Sequence, residues 1–267
     1  MPIPLDIILV CILTVIIHFV AIISLSARIV GVRTKKISSS TSIFNIISLI
    51  AQFSNTIQAP LLTKYVEKGI TLAQHNDFIF REIIFCATLG TCIGAFAVPT
   101  VHRFMKKGVE ALYVHRSIFV LLTKSIRKST FIVLKKSLTL PKIENVYRLK
   151  YYDDIPKKMI LLNCLVYGFI TVSVLSCLYA GYLNPNLRTT SLSMNGFSSG
   201  LATIGMLLFI EPYNATLTDK VVDGSVSESY FRRYLTFVII ARVFGTFLGQ
   251  FLLIPLAKVI AVLVQWL

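Results

Sequence analysis

Apolar residues along this chain gather into six long runs, at about residues 3–27, 41–62, 83–101, 159–183, 191–210 and 234–267. A helix of about 20 apolar residues spans a hydrocarbon core of roughly 30 Å, so each run predicts a membrane-crossing helix. The expected fold class is an all-α polytopic membrane protein with about six transmembrane helices. The last run exceeds what a crossing needs. It should tilt, bend near Gly245, Gly249 and Pro255, or run past the lipid. Between the third and fourth runs, two short apolar pieces at 108–122 and 130–140 are flanked by Lys and Arg. They suit helices lying on an anionic membrane surface rather than spans.

Polar positions inside the runs sharpen the picture. At 100° per residue, Thr41, Asn45, Ser48, Gln52, Asn55, Thr56 and Ala59 share one face of the second run, while Ile43, Ile46, Ile47, Ile50, Phe53, Ile57 and Leu61 share the other. The fifth run repeats the design, with Ser191, Asn195, Ser198, Ser199, Ala202 and Gly205 on one side. Unpaired amides in hydrocarbon cost several kcal/mol each, so these stripes must meet protein or water. Two readings stay open: helix-to-helix packing, or a hydrated pathway. Arg242 is the deepest charge, about eight residues or roughly 12 Å into the sixth run, and an intramembrane arginine marks a functional site or snorkels to the surface. Arg28, Arg81, Glu82 and Glu211 fall at span ends, where interfacial anchoring is the alternative role, and Lys258 lies near the outer end. His18 reads as a packing residue.

Composition agrees with a membrane protein, at 55% hydrophobic and 15% charged residues. The net charge of +15 is concentrated in residues 102–158, which hold 14 Lys or Arg against 4 Asp or Glu. Basic loops stay cytoplasmic. Residues 102–158 and the loop with Arg28, Arg33, Lys35 and Lys36 are therefore expected inside, and both termini outside. No nucleic-acid motif accompanies the charge, so nucleic acid is not an expected partner; anionic membrane lipids are. The first run follows no basic residue and precedes no small-x-small cleavage site, which predicts a retained helix rather than a signal peptide. Cys11, Cys86, Cys92, Cys164 and Cys177 lie in apolar runs without ligand spacing, so no metal and no cofactor is expected. No HExxH, GxSxG, Walker A or paired intramembrane carboxylates occur, which leaves an enzyme reading without residues.

Two stretches nearly spell each other. Gly90-Thr-Cys-Ile-Gly94-Ala-Phe96 in the third run matches Gly245-Thr-Phe-Leu-Gly249-Gln-Phe251 in the sixth, each with a proline soon after, at Pro99 and Pro255. Weaker echoes are Arg33-Thr34 then Asn45, and Arg188-Thr189 then Asn195; Gln58-Ala59-Pro60 and Glu211-Pro212 close the second and fifth runs. Three spans per copy would put the second copy into the membrane from the opposite side, as two inverted three-helix repeats. That divides the chain into residues 1–101, a basic amphipathic connector at 102–158, and residues 159–267. The competing reading is that GxxxG is common helix-packing vocabulary, and Gly90/Gly94, Gly196/Gly200 and Gly245/Gly249 suit contacts within one chain or within a homo-oligomer.

Arg28-Ile-Val-Gly31-Val-Arg33-Thr34-Lys35-Lys36, followed by Phe44-Asn45 and Ser54-Asn55-Thr56-Ile57-Gln58-Ala59-Pro60, resembles the Amj family of lipid II flippases, an alternate to MurJ. The resemblance covers the whole chain loosely and residues 26–64 more specifically. It implies a bacterial cell-membrane protein that moves undecaprenyl-linked peptidoglycan precursor from the inner to the outer leaflet. Arginine pairs well with diphosphate, and amides with sugar and peptide. On that reading Arg28, Arg33, Arg81 and Arg242 contact the diphosphate at different stages, while Asn45, Gln52, Asn55, Gln58, Asn195 and Glu211 line the path. An exporter or scramblase of another polyprenyl-linked or phospholipid substrate is the alternative within transport. A membrane scaffold with a basic middle is the alternative outside it.

Overall fold

A computed structural model describes residues 4–72, 77–115, 117, 128–141, 147–150 and 152–267. Apart from short turns and connecting stretches the described residues are helical, with no strand. Among the described residues ten α-helices follow in order: α1 (Leu5–Ile23), α2 (Ser26–Thr34), α3 (Ile37–Thr71), α4 (Asp77–His115), α5 (Lys128–Ser137), α6 (Lys157–Leu183), α7 (Arg188–Ser193), α8 (Asn195–Gly205), α9 (Glu211–Val222) and α10 (Glu228–Leu263). A π-helical turn, Met206–Ile210, joins α8 to α9.

Among the described residues five segments are long and apolar enough to cross a membrane: Leu5–Thr34, Asp77–His115, Lys157–Leu183, Pro185–Val222 and Glu228–Leu263. They coincide with the first, third, fourth, fifth and sixth predicted spans. The second predicted span is α3, an unbroken helix of 35 residues, about 52 Å at 1.5 Å per residue; its amides and hydroxyls lower its apolarity below that of the others. The chain is thus an all-α polytopic membrane protein.

Several boundaries differ from those expected. Gln58-Ala59-Pro60 does not end the helix of the second run, because α3 carries Pro60 inside it and continues to Thr71. Glu211-Pro212 does not end a helix: α9 continues directly from the π-helical turn Met206–Ile210, with the proline in its first turn. Residues 211–233, polar and lying between the fifth and sixth apolar runs, form α9 and the start of α10 around a short turn with Gly224 at φ 86°. Ser227 starts α10, its Oγ accepting from the Tyr230 backbone N–H at 3.2 Å. α10 then runs continuously through Gly245, Gly249 and Pro255. At the connector, α4 extends to His115, so residues 108–115 continue the helix of the third span instead of lying apart, and Met105, Val109 and Leu112 pack on Ala27, Val30 and Ile43. The rest of the 108–122 piece lies largely outside the described residues; α5 covers most of the 130–140 piece.

Packing follows one scheme in two helix triplets, α1/α3/α4 and α6/α8/α10. α1 touches both α3 and α4, while α3 and α4 meet little; α6 touches both α8 and α10. The glycine motifs make the closest of these approaches. A Cβ on Gly90 would fall 2.5 Å from the Val15 carbonyl oxygen of α1, and one on Gly245 would strike the Cys164 carbonyl oxygen of α6. Only glycine lets the backbones come this near. Thr91 and Thr246, next in each motif, are fully buried and bond back to the carbonyls of Ala87 and Val243.

Two apolar clusters hold the triplets together. One, at the end carrying both termini, joins Ile7, Leu62, Phe80, Tyr179, Tyr182 and Leu253, with Phe80 edge-on to both tyrosines. The other, at the connector end, joins Ile22, Leu25, Val98, Leu217, Phe231 and Tyr234.

Candidate functional site

The hairpin α2–α3 places the first two candidate arginines. Lys35 adopts a left-handed conformation, φ 55°, that ends α2, and its N–H and that of Lys36 return to the carbonyls of Val32 and Gly31. Ser40 then donates to the Ala27 carbonyl at 2.5 Å, fastening α3 against α2. Arg28 and Arg33 thereby face the second triplet. Arg28 forms a part-buried ion pair with Glu211, joining two residues that the sequence had marked separately. Arg33 donates to Glu228 Oε1 at 2.8 Å and lies 2.7 Å from His102 Nε2.

Deeper in, Arg242 sits where α1, α6 and α10 converge and is only 4% exposed. Its Nη1 donates to the Ala21 carbonyl of α1 over a long 3.4 Å, and the guanidinium lies 4.2 Å from the centre of the Tyr167 ring of α6. Nε finds no hydrogen-bond partner, and among the described residues no carboxylate pairs with this cation. Nearby, the fully buried Tyr234 donates to Asn214 Oδ1 at 2.8 Å and packs on Tyr213, ring centres 5.5 Å apart.

Arg81 lies at the opposite end. Its Nη1 donates to the Gln250 carbonyl at 3.1 Å while Gln250 Nε2 donates to the Arg81 carbonyl at 2.8 Å, a reciprocal clasp between α4 and α10. Tyr179 donates to Asp77 at 2.7 Å at the same end, and Lys64 approaches Asp6 at 3.8 Å. The four arginines therefore occupy three levels: Arg33 at the connector end, Arg28 and Arg242 within, Arg81 beyond.

The amides divide. Asn45, Gln52 and Asn55 are exposed on α3. Ile50, Phe53 and Ile57 of the apolar face are exposed as well, because α3 seats on its neighbours through a strip made of Ser40, Ile43, Ser54, Gln58, Leu62 and Val66. Gln58 is buried and donates to Thr14 Oγ1 at 2.9 Å, which suits packing. Asn195 is half-buried and lines a cavity of about 450 Å³ at the terminus end together with Pro60, Thr63 and Lys64. α3 and the fifth span are thus brought together there. Among the described residues no group of His, Cys, Asp or Glu is disposed to hold a metal, and the five cysteines are free.

The sequence reading missed His102, Asn214, Glu228, Arg232, Arg233 and Tyr234. Most become significant through a partner on another segment: Arg233 pairs with Asp154, and Tyr234 with Asn214 across the α9–α10 hairpin, while Arg232 meets Glu228 one turn away on α10. The only local signal was the density of charge around 228–233.

Residues 13–264 match the family described as Amj, Alternate to MurJ. The chain belongs to the Amj family. A relative from Bacillus subtilis (strain 168), named lipid II flippase Amj, is 31% identical over 252 residues, covering 94% of this chain and 93% of the relative. No solved structure matches the chain. The Arg28–Lys36 stretch that carries the resemblance in sequence is, in this Amj protein, the hairpin that presents Arg28 and Arg33 to the second triplet.

Proposed function

We propose that this Amj protein is a lipid II flippase that moves the undecaprenyl-linked peptidoglycan precursor from the inner to the outer leaflet of a bacterial cell membrane. The observation that carries the reading is the end-to-end match to a relative bearing that name. Such a protein is a transporter, not an enzyme. The geometry is consistent with it: Arg242 is a buried cation held by one long hydrogen bond and one ring face, at the meeting of both triplets. A guanidinium so weakly satisfied suits an arriving diphosphate, which offers the bidentate acceptors it lacks.

Arg33, Arg28 and Arg242 form the diphosphate track in this reading. Arg81, engaged with Gln250, takes over at the far end. Asn45, Gln52 and Asn55 line the headgroup path along the exposed face of α3, and Asn195 continues it near the terminus end. Glu211 holds Arg28 until substrate competes for it. Gln58 serves the packing of α3 on α1 as well as the path.

The orientation we propose has residues 102–158 cytoplasmic, against anionic lipid, and both termini outside. Charge supports this, and so does the grouping of ends: Arg33, Asp154 and Glu228 meet at one end, Asp6, Lys64, Asp77 and Arg81 at the other. The parallel seating of α4 on α1 through Gly90 and of α10 on α6 through Gly245 supports two inverted repeats, 1–101 and 159–267. Gly196 and Gly200 meet nothing within 4 Å, so this glycine pair is the one left to a second copy.

The test is translocation of labelled lipid II across liposomes with and without the purified protein, with a labelled phospholipid as control. Lipid II should cross only with protein, and the phospholipid should not. Equal movement of both lipids would make the protein a scramblase, and movement of neither would leave a scaffold.

A further inference from the structure

We propose that a cavity at the connector end, between Arg33, His102, Arg232 and Arg233, captures a prenyl-linked diphosphate, and that Glu228 is the counter-ion this diphosphate displaces. The inference rests on the flippase reading and assigns its first binding step to residues outside the track described above, Arg33 excepted.

The cavity measures about 140 Å³. That is well below the roughly 300–1,000 Å³ of pockets enclosing whole small ligands, so it admits a compact anionic group and leaves sugar and peptide in solvent. Three guanidinium groups and an imidazole line it, and Val98, Leu235 and Ile239 form an apolar wall. That pairing of cations with apolar surface matches a diphosphate bearing a prenyl tail better than a free inorganic anion. Arginine forks meet phosphate oxygens in a bidentate manner.

The cations are incompletely neutralised. Glu228 alone serves both Arg33, at 2.8 Å, and Arg232, at 3.4 Å, while Asp154 serves Arg233. Two carboxylates thus face three guanidiniums. A diphosphate would bridge Arg33 and Arg232 as Glu228 does, with more acceptor oxygens. Because Arg33 belongs to the first triplet and Glu228 to the second, the exchange breaks an ion pair between the halves. Substrate arrival is thereby coupled to loosening of this end, through differential binding to the two states. Arg232 and Arg242 share α10, ten residues and about 15 Å apart, so a diphosphate captured here has its next cation farther along the same helix.

The full-length protein in nanodiscs of zwitterionic lipid is titrated with farnesyl diphosphate, with farnesyl monophosphate and inorganic pyrophosphate as comparisons, and again in nanodiscs containing phosphatidylglycerol. Farnesyl diphosphate should bind most tightly. The double variant R33Q/R232Q should weaken it about tenfold or more, and E228Q should tighten it by several-fold, an opposite sign that misfolding would not produce. Unchanged binding in R33Q/R232Q, weaker binding in E228Q, or equal competition by phosphatidylglycerol each overturns the proposal. Wild-type lipid II translocation is measured in parallel. Its absence sinks the flippase reading while diphosphate affinity is still read, whereas normal translocation with unchanged binding in R33Q/R232Q sinks the cavity alone.

Discussion

Replacing Arg242 by methionine separates a functional arginine from a structural one, because the two make opposite predictions for stability. An arginine at the centre of a membrane helix costs about 2.5–3.5 kcal/mol on insertion scales. A desolvated contact with the Tyr167 ring returns about 2 kcal/mol. The bond to the Ala21 carbonyl, at 3.4 Å beyond the usual range, adds less than about 1 kcal/mol. Buried Nε, without a partner, costs about 1–3 kcal/mol more. The balance is near zero or unfavourable, and exchanging a buried charge for a well-packed apolar side chain of similar length is often stabilising by about 1–4 kcal/mol. Arg242→Met should therefore melt at the wild-type temperature or a few degrees above it in detergent, at about 2–4 °C per kcal/mol. Lipid II translocation in proteoliposomes should fall about a hundredfold, the loss expected for a charge-assisted bidentate contact worth about 3 kcal/mol. Arg242→Lys, which keeps the charge and loses the fork, should fall in between. A variant Arg242→Met that melts several degrees lower yet translocates at the wild-type rate would refute the reasoning: the arginine would then be a packing residue.

The glycine motifs give a paired stability test. Gly90→Ala and Gly245→Ala drive a methyl into the Val15 or Cys164 carbonyl and should each cost about 1–3 kcal/mol in thermal unfolding, whereas Gly196→Ala, with nothing within 4 Å, should be near neutral in the monomer. On α3, Asn45→Leu, Gln52→Leu and Asn55→Leu alter exposed side chains, so melting should hold or rise while lipid II translocation drops; full activity would assign the stripe to something other than the path. For Arg28 and Glu211, a double-mutant cycle on thermal stability should give a coupling of about 1 kcal/mol or less, as for other part-exposed pairs. The charge swap R28E/E211R should recover that stability without recovering translocation.

Apolar run length announced the spans because crossing a bilayer is a one-dimensional requirement: about 20 residues without charge suffice, whatever the neighbours. The same local logic made Arg242 stand out, since a cation in an apolar run is conspicuous anywhere. The matched Gly-Thr-x-x-Gly motifs were legible too, but not what they touch. That Gly90 seats on Val15 and Gly245 on Cys164 follows only from how the helices pack.

Helix ends escaped where polar residues continue a helix beyond the lipid, as in α9 and the extension of α4 to His115, because apolarity stops at the interface while backbone hydrogen bonding does not. The partners of the charges escaped for a related reason. Arg28 and Glu211 are 183 residues apart, and Arg33 and Glu228 195, so no spacing rule couples them. Sequence alone determined that this chain lives in the membrane and which residues are costly to keep there. Tertiary structure alone decided that Arg28 would be paired, Arg81 clasped and Arg242 left with only a carbonyl and a ring, because pairing a charge depends on which helices meet.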